Sequence, residues 1–152
     1  MILGFTGTSK GMTNLQKAAV IGYLGGLPPF SVEEAHHGAC VGADEDFVFA
    51  LVNFLKEVQM PNVHARPGVF SNRPEDLSKR SEKAIEMSDV VHEAKTHFVR
   101  NRDIVAVCDV LLATPVTGEE QYHGGTWYTI NFARRAGKAV VIVWPDGSVT
   151  EE

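Results

Sequence analysis

The sequence predicts an α/β fold: a three-layer, Rossmann-like open sheet, mostly parallel, with about five strands and helices on both faces. Three observations predict it. Short β-rich apolar runs alternate with helical patterns to the end of the chain, as in consecutive βαβ units. The run 139–144 is almost wholly apolar, which suits a parallel strand covered on both faces. Three of the strands pass straight into glycine or small polar residues and then into a helix, the turn chemistry of a βα loop.

The elements follow in order. Residues 2–6 form the first strand and end in Gly7-Thr8-Ser9-Lys10-Gly11, a turn. Thr13 and Gln16 make a capping box, in which Thr13 caps free N–H groups and Gln16 reaches back. Leu15, Ala18, Ala19 and Gly22 continue that helix, and Gly25-Gly26 ends it. Pro28-Pro29 breaks the chain before a strand over 32–36. The loop His37-Gly38-Ala39-Cys40-Val41-Gly42-Ala43-Asp44 feeds a helix from about 44 to 58, with Phe47, Val48, Leu51, Leu55 and Val58 as its buried stripe. Pro61 precedes a strand over 63–66. Residues 67–95 are polar and carry no sustained pattern; a short exposed helix over 78–87 and an excursion across one edge of a pocket are expected. A helix over 98–107, a strand over 110–114, the glycine-containing loop 117–125 and a helix over 126–136 follow. Trp127, Ile130 and Ala133 line the buried face of that last helix, and Gly137 suits its C′ position. After the strand 139–144, Pro145-Asp146-Gly147 turns the chain out.

With 152 residues the chain is expected to be one domain, 1–152. An apolar fraction of 44% and a charged fraction of 22% exclude a disordered polymer. Fourteen basic against nineteen acidic residues give −5, so nucleic acid is not expected as a partner. No apolar run approaches the roughly 18–20 residues of a membrane span. The start, Met-Ile-Leu-Gly-Phe-Thr-Gly, lacks the cationic and apolar segments of a signal peptide, and a cytoplasmic location is expected. Cys40 and Cys108 form neither a CxxC pair nor a zinc set and read as small buried thiols. The histidines His36, His37, His64, His92, His97 and His123 are scattered, without HExxH. A set of His37, His123 and a carboxylate is weighed and not favoured, so neither a metal nor a cofactor is expected.

The chemistry is expected at the strand ends. Gly7-Thr8-Ser9, the Gly38 loop with Gly42, and Gly124-Gly125-Thr126 would share one edge of a parallel sheet. Each such glycine lets backbone approach a ligand, and each following helix N-terminus offers unpaired N–H groups. Together they read as an anion cradle. Arg100 and Asn101, beside Arg102, supply polar groups, with Arg100 able to fork onto a phosphate. Asp44, at a helix start, is either an N-cap or a working acid. GxxxxGK[ST] and GxGxxG are both missing, which disfavours a P-loop kinase and an ordinary NAD dehydrogenase.

These segments resemble the SLOG superfamily, which contains the Rossmann-like domain of DprA and the LOG nucleotide phosphoribohydrolases. Gly4-Phe5-Thr6-Gly7-Thr8-Ser9 resembles the family's opening strand and turn, and His37 to Asp44 its HGGARGAD-type loop. Arg100-Asn101-Arg102-Asp103 resembles its RNxxM-type helix start, Asp109-Val110-Leu111-Leu112-Ala113-Thr114-Pro115 the strand that follows, and Gly124-Gly125-Thr126 its glycine–threonine loop. The resemblance implies a nucleotide or nucleotide-derived phosphorylated ligand, held by Gly7, Thr8, Ser9, Gly38, Asp44, Arg100, Asn101, Gly124, Gly125 and Thr126. One departure matters. The LOG hydrolases carry PGGxGTxxE, and the position of that acid is Thr129 here, with His123 in place of the proline. N-glycosidic hydrolysis would then fall to Glu119, Glu120 or Asp44. The leading expectation is a binding module that senses, carries or sequesters the ligand, with Tyr122, Tyr128 or Trp127 able to stack a base. A nucleotide N-glycosidase is the second reading, and a DNA-handling accessory the third. Phe47, Phe49 and Phe54 either belong to a well-buried helix or leave Phe49 and Phe54 as the contact surface of a homo-oligomer.

Overall fold

A computed structural model of the chain describes residues 1–69 and 79–152. Its elements run β1 (Ile2–Gly7), α1 (Asn14–Gly25), β2 (Glu34–His37), α2 (Ala43–Asn53), β3 (Asn62–Ala65), α3 (Glu82–Glu86), β4 (Val90–Val91), α4 (His97–Val107), β5 (Val110–Thr114), α5 (Gly125–Arg135), β6 (Ala139–Val143) and β7 (Val149–Glu151). They build one α/β sheet in the order β4-β3-β2-β1-β5-β6-β7. Every pairing is parallel except that of β6 with β7. From β1 the chain winds outward through β2, β3 and β4. It then returns to the other side of β1 for β5. The strand order reverses between β1 and β5, and a crevice opens outside their carboxyl ends.

Helices cover both faces. Leu3, Phe5, Ala35, Val63, Leu112, Val141 and Val143 point to the side of α1, α2 and α3, where they meet Val20, Leu24, Phe47, Leu51 and Ala84. Phe5 and Phe47 stack with ring centroids 4.2 Å apart. Leu111, Ala113, Val140 and Ile142 point the other way, against Ile104, Val105, Trp127, Ile130 and Ala133 of α4 and α5. The unbroken apolar run of β6 thus serves two cores, as a central parallel strand must.

The strand count is seven, not about five. The two-residue β4 lies inside the polar stretch that gives no strand pattern. β7 is exposed throughout and returns antiparallel after the Pro145-Asp146-Gly147 turn, so neither edge strand has a buried face to betray it. Helix α2 stops at Asn53, five residues short of the expected end. The chain instead turns through Leu55 and Val58 to bury Gln59. There the Gln59 side chain accepts from Val32 N–H and donates to the Leu24 and Pro28 carbonyls. The helix expected over 78–87 is the single turn and a half Glu82–Glu86, capped by Ser81 and with Ala84 buried; Ser78 lies outside the described residues.

Helix ends follow the sequence closely. The Thr13–Gln16 capping box is complete. At the far end of α5, Gly137 has φ +71°, its N–H reaches the Arg134 carbonyl, and Lys138 N–H reaches that of Ala133, a Schellman pair. Among the described residues no helix is long and apolar enough to cross a membrane.

The β1 and β2 loops are packed against each other at Gly42. Its φ is +88°, and a Cβ there would collide with the Ser9 carbonyl. Gly42→Ala combines left-handed strain with a backbone clash and is expected to cost about 2–4 kcal/mol, read as a lower urea midpoint at unchanged slope.

Candidate functional site

The loops after β1, β2 and β5 and the start of α5 enclose a cavity of about 300 Å³ at the β1–β5 crevice. All ten residues expected at the site, from Gly7 to Thr126, line it. The backbone does much of the positioning. Thr8 O accepts from Gly11 N–H and from Ala43 N–H, tying the β1 loop to the first turn of α2. Ala39 takes φ +52°, and its N–H donates to His37 Nδ1 at 3.0 Å. His37 Nε2 meets Ser88 Oγ at 2.8 Å, and Ser88 Oγ donates to Ala84 O. Both ring nitrogens of His37 are engaged, so the set of His37, His123 and a carboxylate does not assemble. Burial, aided by the Arg100 charge, pushes the His37 imidazole down to about 3, so it stays neutral.

Arg100 is corrected from phosphate fork to loop clamp. It is 5% exposed, and all five of its N–H donors face protein. Nε donates to Asn101 Oδ1 at 2.7 Å. Nη1 donates to Gly38 O and to Arg66 O. Nη2 approaches His97 Nδ1 at 2.7 Å and Cys40 Sγ at 3.7 Å. A guanidinium spent in this way has no edge left for a ligand. The glycine at 38 is required by the same clamp, since a Cβ there would stand 2.5 Å from Arg100 Nη1 and 3.0 Å from Asp44 Oδ2.

Asp44 sits in the first turn of α2 and accepts Cys40 N–H at 3.0 Å. Burial raises its carboxyl to about 6, against the opposing pull of Arg100 and the loop amides. Burial likewise pushes the Cys40 and Cys108 thiols up to about 11, so neither is a ready nucleophile. Of the three carboxylates weighed for hydrolysis, Asp44 lines the cavity and Glu119 and Glu120 do not. Glu120 is exposed and pairs with Arg134 at 2.7 Å. Thr129 is buried in α5, where its hydroxyl donates to Gly125 O at 2.9 Å.

The side facing α5 is open. Gly124, at φ +109°, offers no side-chain cap, and the first turn of α5 carries no acid. Among the described residues the N–H groups of Gly125, Thr126 and Trp127 have no hydrogen-bond partner. Trp127 belongs to the core at 4% exposure, although its Nε1–H is unpartnered. Tyr122 is exposed and Tyr128 half-buried; both line a neighbouring recess with Phe98, which shares His123, Gly124 and Gly125 with the cavity.

Sequence reasoning missed two features. Lys79 lines the cavity, and no ion pair occupies its ammonium among the described residues. Its carbonyl accepts Val41 N–H, which holds it beside the β2 loop, but it lies in the stretch without pattern. Three histidines, His36, His64 and His92, also cluster on neighbouring strands. The signal was an equal interval: 28 residues separate His64 from His92, and the same number separates His36 from His64. On α2 Phe47 is buried, while Phe49 and, just past the helix end, Phe54 are exposed, their rings edge to face at 6.0 Å.

No family model, curated protein or solved structure matches the chain.

Two outcomes follow from this geometry. Arg100→Lys leaves carbonyls of two strand ends without donors and is expected to cost roughly 2–4 kcal/mol, measured by urea denaturation. Asp44 has its carboxyl raised from an ordinary 3.8 to about 6, so its contribution is complete below pH 3.8 and is lost as pH rises towards 6 and beyond. His36 and His37, lowered from 6.5 to about 4 and about 3, act in the opposite sense: their contribution is present above pH 6.5 and lost on acidification. Asp44→Asn is therefore expected to raise stability at pH 7 relative to pH 4, compared with the same difference in the parent chain. Parallel melting-temperature profiles would show the carboxyl to be ionised throughout.

Proposed function

We propose that the protein binds a nucleotide, or a phosphorylated molecule derived from one, at the carboxyl ends of its parallel strands. The observation that carries this reading is the convergence of three glycine-containing loops on one cavity whose open side is the uncapped start of α5. Three unpartnered amides and the positive end of a helix dipole there suit an anion. Lys79 supplies the mobile cation, while Arg100 fixes the loop. The phosphate would rest on Gly125 and Thr126, with Ser9 and Thr8 opposite. The base would lie across the Gly124–Gly125 ridge against Tyr122 or Tyr128. The resemblance to the SLOG proteins, carried by five short segments, agrees with such a ligand. A sensing, carrying or sequestering role follows from a site that holds an anion without an evident catalytic pair.

The test is a thermal shift with nucleoside mono-, di- and triphosphates, dinucleotides and cyclic forms. A ligand at about 100 times its Kd should stabilise the fold by about 2.7 kcal/mol. Lys79→Ala should weaken binding and reduce its salt dependence, and Tyr122→Ala should weaken ligands with a large base. If no member of the panel shifts the transition, and mass spectrometry of the denatured protein releases no nucleotide, the reading is wrong.

One observation favours a second reading, a nucleotide N-glycosidase. Asp44 lines the cavity with a carboxyl raised to about 6, the range a general acid or base needs near neutrality. Free base released from a nucleoside monophosphate by the parent protein, and lost in Asp44→Asn while binding persists, would establish hydrolysis over simple binding.

A further inference from the structure

We propose that His36, His64 and His92 bind a divalent transition-metal ion of the zinc, nickel and copper class, at a site separate from the nucleotide cavity. The three residues come from three neighbouring parallel strands or their immediate ends. His36 and His64 are direct register partners on β2 and β3. His92 follows β4, and its N–H donates to Ala65 O at 2.9 Å. Each offers a ring nitrogen, and these atoms lie within 4.8 Å of one another. None of the three lines the cavity described above.

The hydrogen bonds sort the nitrogens. His36 Nε2 meets Glu34 Oε2 at 2.8 Å, and Asn62 Nδ2 donates to His64 Nε2 at 3.0 Å. A metal-ligating imidazole typically gives its other nitrogen to a carboxylate or amide oxygen, which fixes the ring and raises its basicity. Glu34 stands in that place for His36 and lies 3.8 Å from His64 Nε2, whereas Asn62 turns its Nδ2 donor to that atom and would have to flip its amide to offer an oxygen. The inward atoms are then His36 Nδ1, His64 Nδ1 and His92 Nε2. The last two share a hydrogen bond at 2.8 Å; losing that proton and parting by about 0.5 Å would bring them to the roughly 3.3–3.4 Å edge of a tetrahedral site with bonds of about 2.0–2.1 Å. The rings lie face to face, with centroids 4.3 Å apart for His36 and His64 and 5.1 Å for His64 and His92. Their lone pairs converge by rotation about χ2, a soft torsion for an imidazole. Three nitrogen ligands leave a fourth position for water.

A positive charge already stands against one of these nitrogens. Arg66 Nε donates to His36 Nδ1 at 3.1 Å, on the atom a metal would use. A cation held by an unprotonated imidazole is a stand-in for the ion, and the two must compete. Lys95 and Asp103, ion-paired at 2.8 Å, act on His92 in opposite senses. The ion would pin β2, β3 and the edge strand β4 together at their carboxyl ends.

The experiment uses the full chain after chelator treatment and dialysis, titrated with zinc chloride by calorimetry and with cobalt chloride by visible absorption. One equivalent of zinc is expected, with ligand-field bands from cobalt. His64→Gln and His92→Gln should each weaken zinc at least about tenfold. Arg66→Gln should strengthen it, a gain that no folding defect can imitate. Circular dichroism verifies each variant. His92 sits half-exposed beyond an edge strand, so its variant decides the matter even if His64→Gln unfolds. Sub-stoichiometric zinc in the parent chain, or equal affinity in folded His92→Gln, overturns the site. Unchanged or weaker affinity in Arg66→Gln overturns the competition with Arg66.

Discussion

A single buried guanidinium holds the site edge of the sheet together. Arg100 rises from α4 on one face and grips the carbonyls that end β2 and leave β3, while Asp44 approaches the same loop from α2 on the other face. The two opposite charges are not in direct contact; Gly38 lies between them. Both are buried, and burying ions is costly unless their hydrogen-bonding capacity is met. Here it is met by loop carbonyls and an amide together with the side chains of Asn101, His97 and Cys40. The loop expected to serve a ligand instead serves the protein, and that fixes which parts of the rim remain available.

The rim therefore divides into two halves. The β1 and β2 loops are interlocked, with Thr8 O shared between Gly11 and Ala43 and with Gly42 pressed on Ser9. Their glycines are demanded by packing as much as by any guest. The β5–α5 side is different: a Cβ at Gly124 or Gly125 would meet nothing within 4 Å. One half gives a rigid wall and the other gives unpaired amides. A cavity built in this way would suit a guest read by charge and outline more than by a pattern of side chains.

The central strands and the helix caps were legible because local rules decide them. Thr13 with Gln16, Gly137 after α5 and the apolar run of β6 each carry their own reason within a few residues. Membership of the cavity was legible because parallel topology puts every βα loop on one edge. What each residue does there was not. Arg100 looks identical in sequence whether it grips a ligand or a carbonyl; the choice depends on Gly38 and Arg66, 62 and 34 residues away. Lys79 and β4 were hidden because their stretch has no buried face and hence no periodicity. The histidine cluster needed strand register, which only the assembled sheet supplies.

Gln16 shows how such distant dependence enters even a local motif. Its side-chain oxygen closes the box on Thr13, but its amide donates to Pro115 O and Val143 O, just past the end of β5 and at the last residue of β6. Those acceptors are made about a hundred residues after the helix itself emerges. During synthesis the first helix must wait with a polar group destined for burial and nothing to receive it. The box itself closes on Thr13 within the first turn, while the burial of the Gln16 amide depends on the C-terminal half of the chain.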